Sequence, residues 1–538
     1  MPRLPSCSRT FLFAAFASLF LLPAGRLPAA APAVAPVREI APGPFQPDWN
    51  SLARYRCPEW FRDAKLGFWA CWDAQSVPEK GDDYGRNLYI PTDPRVSRPN
   101  ADYIWQLDHY GHPSQSGFKD VIRRWTADQW EPEKILSLFQ RAGARYFVAL
   151  ANDHDNFDCY NSQYQSWNSV AQGPHRDIVG VWAAAARAAG LRFGVAAHAA
   201  DAWSWFEPAQ HADTTGPFFG VGYDGRLTSV DGHGQWWDGL DPQDLYAQNH
   251  LPGEKPSADY VTKFFLRTRD LIDRYHPDLL DFDSAELPLG EAGLNLAAHF
   301  YNSSLPLNQG RMGAVLTARQ VRPLRRASLV ETLERASTDQ PRPDPWQAVS
   351  SLGQWQYRAG QEYRTAPDLV RLLVDVVSKN GNLLLNVPLR GSGIPDASEV
   401  RILDGLTDWM GIHGEGIYST RPWKIFGEGP ASTRPALDGS VPEGRLTFTA
   451  QDFRFTQSKD GHTLYAFFFG WPPGGRLTVK SFARTGAAGD LLAQRIGSLT
   501  LLGSSAAIPW TQDATGLQVT LPVAAPNNFA CALKLTLE

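Results

Sequence analysis

The sequence predicts an α/β protein: a (β/α)8 TIM-like barrel followed by a C-terminal antiparallel β-sandwich. Short β-rich runs alternate with helical stretches up to about residue 425, and the residues after that alternate like strands without helical periodicity. The length of 538 residues supports the same division, because a barrel of this type needs roughly 250 residues and leaves room for a second domain. We expect a signal peptide over 1–31, a proline-rich tether over 32–47, the barrel over 48–425 and the sandwich over 426–538.

The first 31 residues have the pattern of a secretory signal peptide. Arg3 and Arg9 precede an apolar run from Phe11 to Leu22, and Ala29 and Ala31 offer a small-residue cleavage site. The run is too short for a membrane-spanning helix, which needs about 20 residues, although a retained interfacial anchor is the alternative. We therefore expect a secreted or periplasmic protein that has no membrane partner after the signal is removed.

Charge and motif content exclude several function classes. The net charge is −5 and the pI about 6.2, so no basic surface is available for nucleic acid. The five cysteines have neither CxxC nor zinc-knuckle spacing. The sequence also lacks a GxSxG elbow, an HExxH motif and a glycine-rich phosphate loop. We expect no cofactor and no metal, while disulfide pairing and oligomeric state stay open.

The barrel prediction follows from strands and helices that alternate along the chain. The predicted strands are Lys65–Trp72, Arg145–Ala151, Leu191–His198, Leu279–Asp283, Ala314–Thr317 and Asn382–Val387. Helical periodicity covers Ile178–Ala189, Tyr260–Tyr275 and Pro367–Ser378. Such alternation indicates parallel βα units, and six to eight of them suit a closed barrel better than an open sheet.

The sandwich prediction follows from seven short runs in the tail. They are Leu446–Thr449, Phe453–Thr456, Thr463–Phe469, Arg476–Lys480, Leu499–Leu502, Gln518–Leu521 and Cys531–Leu537. Glycine, proline and aspartate turns separate these runs, which is typical of a small antiparallel sandwich.

Polar side chains end several predicted barrel strands, where the active site of a barrel lies. The first strand ends Cys71-Trp72-Asp73, the second continues as Asn152-Asp153-His154-Asp155-Asn156, and the third ends at His198; Glu331 and Glu334 fall near the sixth, and Asn386 ends the last. The fourth ends with Asp281 and Asp283, which point to the same side at period two, and we expect two such close carboxylates to raise each other's pKa. Two carboxyl groups across a barrel mouth are the minimum for glycoside hydrolysis.

Several motifs resemble glycoside hydrolase family 29, the retaining α-L-fucosidases. They include residues 60–67 (WFRDAKLG), 76–78 (SVP), 155–157 (DNF), 190–194 (GLRFG), 372–386 (LLVDVVSKNGNLLLN), 413–418 (HGEGIY), 420–423 (TRPW) and 448–452 (FTAQD). The resemblance covers nearly the whole mature chain. It implies the barrel-plus-sandwich architecture and a glycan substrate, either an oligosaccharide or a polysaccharide.

The resemblance also implies roles for individual residues. Asp283 matches the family's nucleophile, which attacks the anomeric carbon to form a glycosyl-enzyme intermediate. Glu334, in a segment similar to D-x-E-R-G, matches the acid/base, with Glu331 as the reserve. Arg319 resembles the sugar-contacting arginine of an N-D-R segment, and His154 matches the second histidine of an H-H-D segment.

This chain departs from the family pattern at several positions that we expect to bind substrate. It has Cys71-Trp72-Asp73 where the family has His-Trp-Gly, Asp153 for the first histidine of H-H-D, Asp82-Asp83 before Tyr84, Asp281 for an aromatic residue, and Ala196-Ala197 before His198. Lost imidazole donors remove hydrogen bonds to sugar hydroxyls, each contributing about 1 kcal/mol. We therefore expect weaker binding of ordinary α-L-fucosides.

Three functions compete at this stage. The leading hypothesis is a secreted retaining exo-glycosidase that hydrolyses terminal α-L-fucosyl or fucose-like residues, such as L-galactosyl, by double displacement. The alternative is a non-catalytic carbohydrate-binding descendant of the same family. The third is a metal-dependent site formed by Asp153, His154, Asp281 and Asp283.

Overall fold

The computed structural model describes residues 39–95, 97–433, 439–486, 489–527 and 529–538. The expected signal peptide lies outside the described residues, and the expected tether is described only from residue 39. No helix in these ranges is long and apolar enough to cross a membrane. Within the same ranges Cys57, Cys71, Cys159 and Cys531 are all free thiols.

Eight parallel strands close into a barrel in chain order, as predicted. They are β1 Leu66–Ala70, β2 Tyr146–Asn152, β3 Arg192–Ala197, β4 Leu279–Ala285, β5 Val315–Arg319, β6 Val330–Glu334, β7 Trp346–Ser351 and β8 Gly381–Asn386. Strand β1 pairs with both β2 and β8, for example through Phe68 beside Phe147 and beside Leu385, so no strand edge is left open. Four of these strands, β1, β2, β7 and β8, are buried along their whole length, because helices cover the outside of the barrel and side chains fill its inside.

Helices surround the barrel between the strands. The longer ones are Ala101–His109, Pro132–Arg141, Ile178–Ala188, Ala258–Tyr275, Glu291–Leu307, Ala366–Ser378 and Ala397–His413; shorter ones are Trp49–Leu52, Glu59–Ala64, Tyr84–Asn87, Phe118–Arg124, Ala202–Trp205 and Pro242–Leu245. The sequence prediction placed Glu331 and Glu334 near the sixth strand but gave no run for β6, and it missed β7. Both strands carry polar residues (VETLE and WQAVSS) inside the barrel wall, and they therefore lack the apolar run that marks the other strands.

The tail forms two antiparallel sheets. The five-stranded sheet has the order Arg421–Glu428, Phe453–Gln457, Thr463–Phe468, Cys531–Leu537 and Ile496–Leu501; the three-stranded sheet has the order Arg476–Val479, Gly516–Thr520 and Trp510–Asp513. A separate apolar core, including Phe455, Val479 and Leu533, lies between them. The predicted strand Leu446–Thr449 is wrong: Asp452 accepts hydrogen bonds from the backbone and hydroxyl of Thr449, so this segment turns instead of extending.

The barrel and the sandwich share a buried contact. The Trp409 ring, on helix Ala397–His413, lies 6.2 Å from the Phe467 ring of the five-stranded sheet. The Asp375 carboxylate, on helix Ala366–Ser378, accepts hydrogen bonds from Arg454 Nε at 2.7 Å and Lys379 Nζ at 2.8 Å. All three side chains of this cluster are buried, so apolar packing and charge pairing both tie the sandwich to the barrel helices.

Candidate active site

A cavity of about 330 Å³ opens at the carboxyl ends of the barrel strands. Its lining comprises Trp69, Cys71, Gln75, Asp82, Asp83, Asp153, His154, His198, Asp281, Asp283, Arg319, Thr332, Glu334, Val349, Trp355 and Gln356. A larger cavity of about 480 Å³ lies near the beginnings of β3 to β5, beside Arg192, Asp278 and Gly313. Active sites of such barrels lie at the carboxyl ends of the strands, so the smaller cavity is the candidate site.

Strand alternation decides which side chains face this cavity. On β6, Thr332 and Glu334 face it, whereas Glu331 points to the outside of the barrel. Glu331 accepts a hydrogen bond from the Val321 amide at 3.2 Å and forms ion pairs with two arginines. The reserve choice of Glu331 as acid/base is therefore excluded by its direction.

Trp72 also lies outside the cavity, contrary to the sequence prediction. Its ring packs against Trp125 at 5.0 Å and Trp130 at 5.3 Å, and its indole N–H donates to the Arg390 carbonyl. The tryptophan of β1 that faces the cavity is Trp69, two residues before Cys71. Because Trp72 has the opposite parity, it packs in the core instead.

The two predicted catalytic carboxylates contact one guanidinium. Arg319, the last residue of β5, lies with Nε 2.9 Å from Asp283 Oδ1 and forms a second ion pair with Glu334. Asp283 and Glu334 come from β4 and β6, the strands on either side of β5. The barrel thus brings together three residues that are far apart in the sequence, and their side chains are 23–34% exposed.

Asp283 is held in its charged form. Burial alone would raise its pKa, but the hydrogen bond from His154 and the charges of His198 and Arg319 outweigh burial and lower it. His154 Nε2 lies 3.4 Å from Asp283 Oδ2. Asp281 and Asp283 both face the cavity, as the period-two argument requires. The expected mutual rise in pKa is nevertheless wrong for Asp283, because nearby cations dominate over the neighbouring carboxylate.

The floor of the cavity is a chain of two carboxylates around one imidazole, of which Asp153 and His198 are buried. His198 Nδ1 lies 3.5 Å from Asp153 Oδ1, and His198 Nε2 lies 3.4 Å from Asp281 Oδ2. Burial alone would lower the pKa of His198, but the two carboxylates raise it to about 10. The same pairing lowers the pKa of Asp153 below its usual range, against the effect of burial. His198 is therefore an imidazolium that keeps Asp153 in its charged form.

Amide side chains missed by the sequence prediction complete this floor. Gln356 Nε2 donates to Asp153 Oδ2 at 2.7 Å, and Gln75 Nε2 donates to the same oxygen at 3.3 Å. Thr317, on β5, donates its hydroxyl to Asp281. Gln75 lies in the 3₁₀ turn Ala74–Ser76 and Gln356 in a loop, and only the folded structure shows that both side chains reach the cavity.

The rim contains the other predicted substrate-binding residues. Asp82 accepts hydrogen bonds from the amides of Trp355 at 2.6 Å and Gln356 at 3.1 Å, and burial raises its pKa. Asp83 accepts a hydrogen bond from the Trp205 indole at 3.0 Å. Trp69 and Trp355, with ring centroids 5.6 Å apart, form an aromatic wall between floor and rim. The cavity thus has one aromatic side and one charged side.

The third hypothesis, a metal site, gains no geometric support. Among the described residues, no group of three or more His, Cys, Asp and Glu side chains could hold a metal ion. The four residues proposed as ligands instead form charge pairs with one another and with His198 or Arg319.

Comparison with known proteins gives a consistent result. The family model described as alpha-L-fucosidase matches residues 33–415, and the model of the alpha-L-fucosidase C-terminal domain matches residues 447–538. The chain is 27% identical to tissue alpha-L-fucosidase of Rattus norvegicus over 517 residues (92% of this chain, 94% of the relative) and 26% identical to the Homo sapiens protein over 526 residues (93% of each). The solved alpha-fucosidase of Thermotoga maritima aligns with a TM-score of 0.66 at 23% identity, covering 91% of this chain and 100% of that one.

Proposed function

Since the chain belongs to the alpha-L-fucosidase family of glycoside hydrolases, we propose that it is a retaining exo-glycosidase acting on terminal α-L-fucosyl or fucose-like residues of oligosaccharides or polysaccharides. One observation carries this proposal: Asp283 and Glu334 contact the same Arg319 guanidinium inside the cavity. A single guanidinium between them keeps the carboxylates close, which favours the separation of about 5–5.5 Å of retaining enzymes over the wider one of inverting enzymes.

In the proposed mechanism, Asp283 is the nucleophile. Its lowered pKa keeps it anionic, so that one carboxylate oxygen can attack the anomeric carbon while the glycosidic bond breaks. Arg319 and His154 hold the carboxylate in position from two sides. The covalent glycosyl-enzyme intermediate is then hydrolysed by water, and the second displacement restores the original anomeric configuration.

Glu334 is the proposed acid/base. It donates a proton to the leaving glycosidic oxygen in the first step and removes a proton from the attacking water in the second. The Arg319 guanidinium, which pairs with Glu334, stabilises its carboxylate once the first proton has been given away. Glu331 has no part in this mechanism because it faces the outside of the barrel.

The charged floor supports a substrate richer in hydroxyl groups than fucose. Asp153 and Asp281 present carboxylate oxygens, which only accept hydrogen bonds, and His198 directs both ring nitrogens at these carboxylates rather than into the cavity. A sugar hydroxyl can donate to such a floor, whereas a methyl group cannot and would leave the carboxylates without a new partner. We therefore favour an L-galactosyl-type residue, with its hydroxymethyl group, over an α-L-fucosyl residue.

Steady-state hydrolysis of aryl α-L-fucosides and α-L-galactosides by the purified mature protein tests this function. Asp283→Gly should abolish turnover and, with an activated substrate, regain activity when azide replaces the missing carboxylate. Asp201→Asn is the matched control, because Asp201 binds Ser284 at the same strand end without lining the cavity. Binding on a glycan array with no release from any glycoside would instead favour the non-catalytic carbohydrate-binding alternative.

We also propose that the protein is secreted or periplasmic. The support is the signal-peptide pattern of residues 1–31. N-terminal sequencing of the protein recovered from the periplasm or medium should begin close to residue 32. An intact Met1 on that protein would contradict signal cleavage.

A further inference from the structure

Two carboxyl groups are buried directly behind the candidate active site. Asp73 follows β1 and is 1% exposed, and Asp155 follows β2 and is 0% exposed. Neither residue lines the cavity. The proposed mechanism does not use either group, although burying two free carboxylates side by side is strongly unfavourable.

In each of these two carboxyl groups, one oxygen accepts a hydrogen bond and the other does not. The backbone N–H of Gln75 donates to Asp73 Oδ1 at 2.8 Å, and the backbone N–H of Phe157 donates to Asp155 Oδ1 at 3.1 Å. The second oxygen of each group, Oδ2, is buried without a donor. The two side chains lie close enough to interact directly with each other. Since carboxylate oxygens only accept, this contact is satisfied only when one group carries a proton.

We propose that Asp73 and Asp155 share one proton and act as positioning residues for the active site. Asp155 belongs to the same turn as Asp153 and His154, whose amide donates to Asp153 Oδ1 at 2.8 Å. The Asp73 side chain accepts a hydrogen bond from the backbone N–H of Gln75, and the side-chain amide of Gln75 in turn donates to Asp153. The shared proton thus links the ends of β1 and β2 and holds the residues that contact Asp283 and His198.

The surroundings of the pair are acidic or neutral. The titratable groups that face it are Asp153 and the thiols of Cys71 and Cys159. His154 and His198 are instead paired with Asp283, Asp153 and Asp281. Burial and the charge of Asp153 raise the pKa of Asp73 to about 7, and burial and the charges of Asp73 and Asp153 raise that of Asp155.

The raised pKa values fix the direction of the pH effect. The folded protein holds the proton more tightly than the unfolded chain, in which aspartate has a pKa of about 3.9. The stabilisation is therefore complete below about pH 4 and decreases as the pH rises through about 7, where Asp73 ionises and one proton stays on the pair. Loss of that remaining proton at higher pH would leave two adjacent buried carboxylates that repel each other, and the 153–155 turn should then move away from β1.

Asp155→Asn is the decisive variant. Its amide oxygen can still accept from Phe157, while its NH₂ donates to Asp73 at every pH. We expect its thermal stability relative to the natural protein to increase as the pH rises through about 7. The part of the protonated-carboxylic-acid infrared band that belongs to the pair should be lost, while the part that belongs to Glu399, with a pKa of about 8, remains. The alkaline limb of kcat/KM, normalised to the maximum of each protein, should move up by about one pH unit.

Two further variants make the experiment conclusive. Asp73→Asn should reproduce all three effects and replaces Asp155→Asn if that variant does not fold. Glu399→Gln is the matched control: it removes another buried carboxyl, of pKa about 8, that lies on helix Ala397–His413 away from the cavity lining. Its pH–activity profile should keep the natural alkaline limb.

The outcomes separate the parts of the proposal. A stability difference that is independent of pH, with an unchanged infrared band, would overturn the shared proton. A pH-dependent stability difference with an unmoved activity limb would overturn the positioning role. Only the activity readout rests on the proposed function; if the protein hydrolyses no glycoside, that function fails while melting and infrared spectra still test the shared proton.

Discussion

Replacement of His198 by glutamine should remove a large, pH-dependent contribution to stability. His198 is 5% exposed and lies between the carboxylates of Asp153 and Asp281. A rise of its pKa from 6.5 to about 10 corresponds to about 5 kcal/mol, since one pKa unit is about 1.4 kcal/mol. Removing the imidazolium also leaves the carboxylates of Asp153 and Asp281 without their shared cation, and breaking a buried ion pair typically costs about 3–5 kcal/mol. Both routes give the same order of magnitude.

The sign of the pH dependence is set by the raised pKa. Because the folded protein binds the imidazole proton more tightly than the unfolded chain does, the stabilisation is complete below about pH 6.5. It decreases as the pH rises and is lost near pH 10, where the folded His198 deprotonates. The stability difference between the natural protein and His198→Gln should therefore be largest in acid and shrink steadily across this range.

Urea unfolding at several pH values between about 6 and 10 measures this difference directly. His413→Gln is the control, because burial lowers the pKa of His413 to about 4 and its imidazole therefore stays neutral throughout the range. Because the unfolded His413 is protonated below about pH 6.5, the control should lose somewhat less stability near pH 6 and a constant amount above about pH 7.5, a trend opposite to that of His198→Gln. A stability loss in His198→Gln that is independent of pH would refute the imidazolium between two carboxylates.

Three further predictions concern the junction, the aromatic wall and the floor. Asp375→Ala should lose about 3–5 kcal/mol in urea unfolding at neutral pH, because it leaves the buried charges of Lys379 and Arg454 without their carboxylate; a loss below 1 kcal/mol would contradict this. Trp355→Ala should lower kcat/KM about tenfold, mainly through KM, since ring stacking contributes about 1–1.5 kcal/mol; an unchanged KM would place the sugar elsewhere. Asp153→His should shift the ratio of kcat/KM between α-L-galactosyl and α-L-fucosyl substrates towards fucosyl. An unchanged ratio would show that Asp153 does not determine which sugar is preferred.

The sequence predicted the barrel strands well where an apolar run indicates a buried strand. Strands such as β2 and β3 differ from the predicted runs by one or two residues. Strands β6 and β7 have no apolar run, because polar residues such as Glu331 and Gln347 stand within them although the strands are buried. Their strand partners also come from distant parts of the chain. Strand period alone therefore locates an apolar strand but not a polar one.

The site was predicted where motifs end strands and missed where loops return to the cavity. Asp283, Arg319 and Glu334 meet as the resemblance implied. Gln75 and Gln356 contact the floor carboxylate of Asp153, which lies far from both in the sequence, so no local pattern predicts these contacts. The pKa of Asp283 could not be predicted from its nearest sequence neighbour either, because distant cations that the fold brings close decide it.

The shared buried contact between the two domains has a practical consequence for shortening or recombining this protein. A chain ending before residue 421 would expose Trp409 to water and leave Asp375 and Lys379 without Arg454. The isolated barrel should therefore aggregate or melt early rather than survive as a minimal enzyme. Replacement of this sandwich by that of a relative should succeed only when the contacting residues of helices Ala366–Ser378 and Ala397–His413 are replaced with it. The two domains therefore form one structural unit.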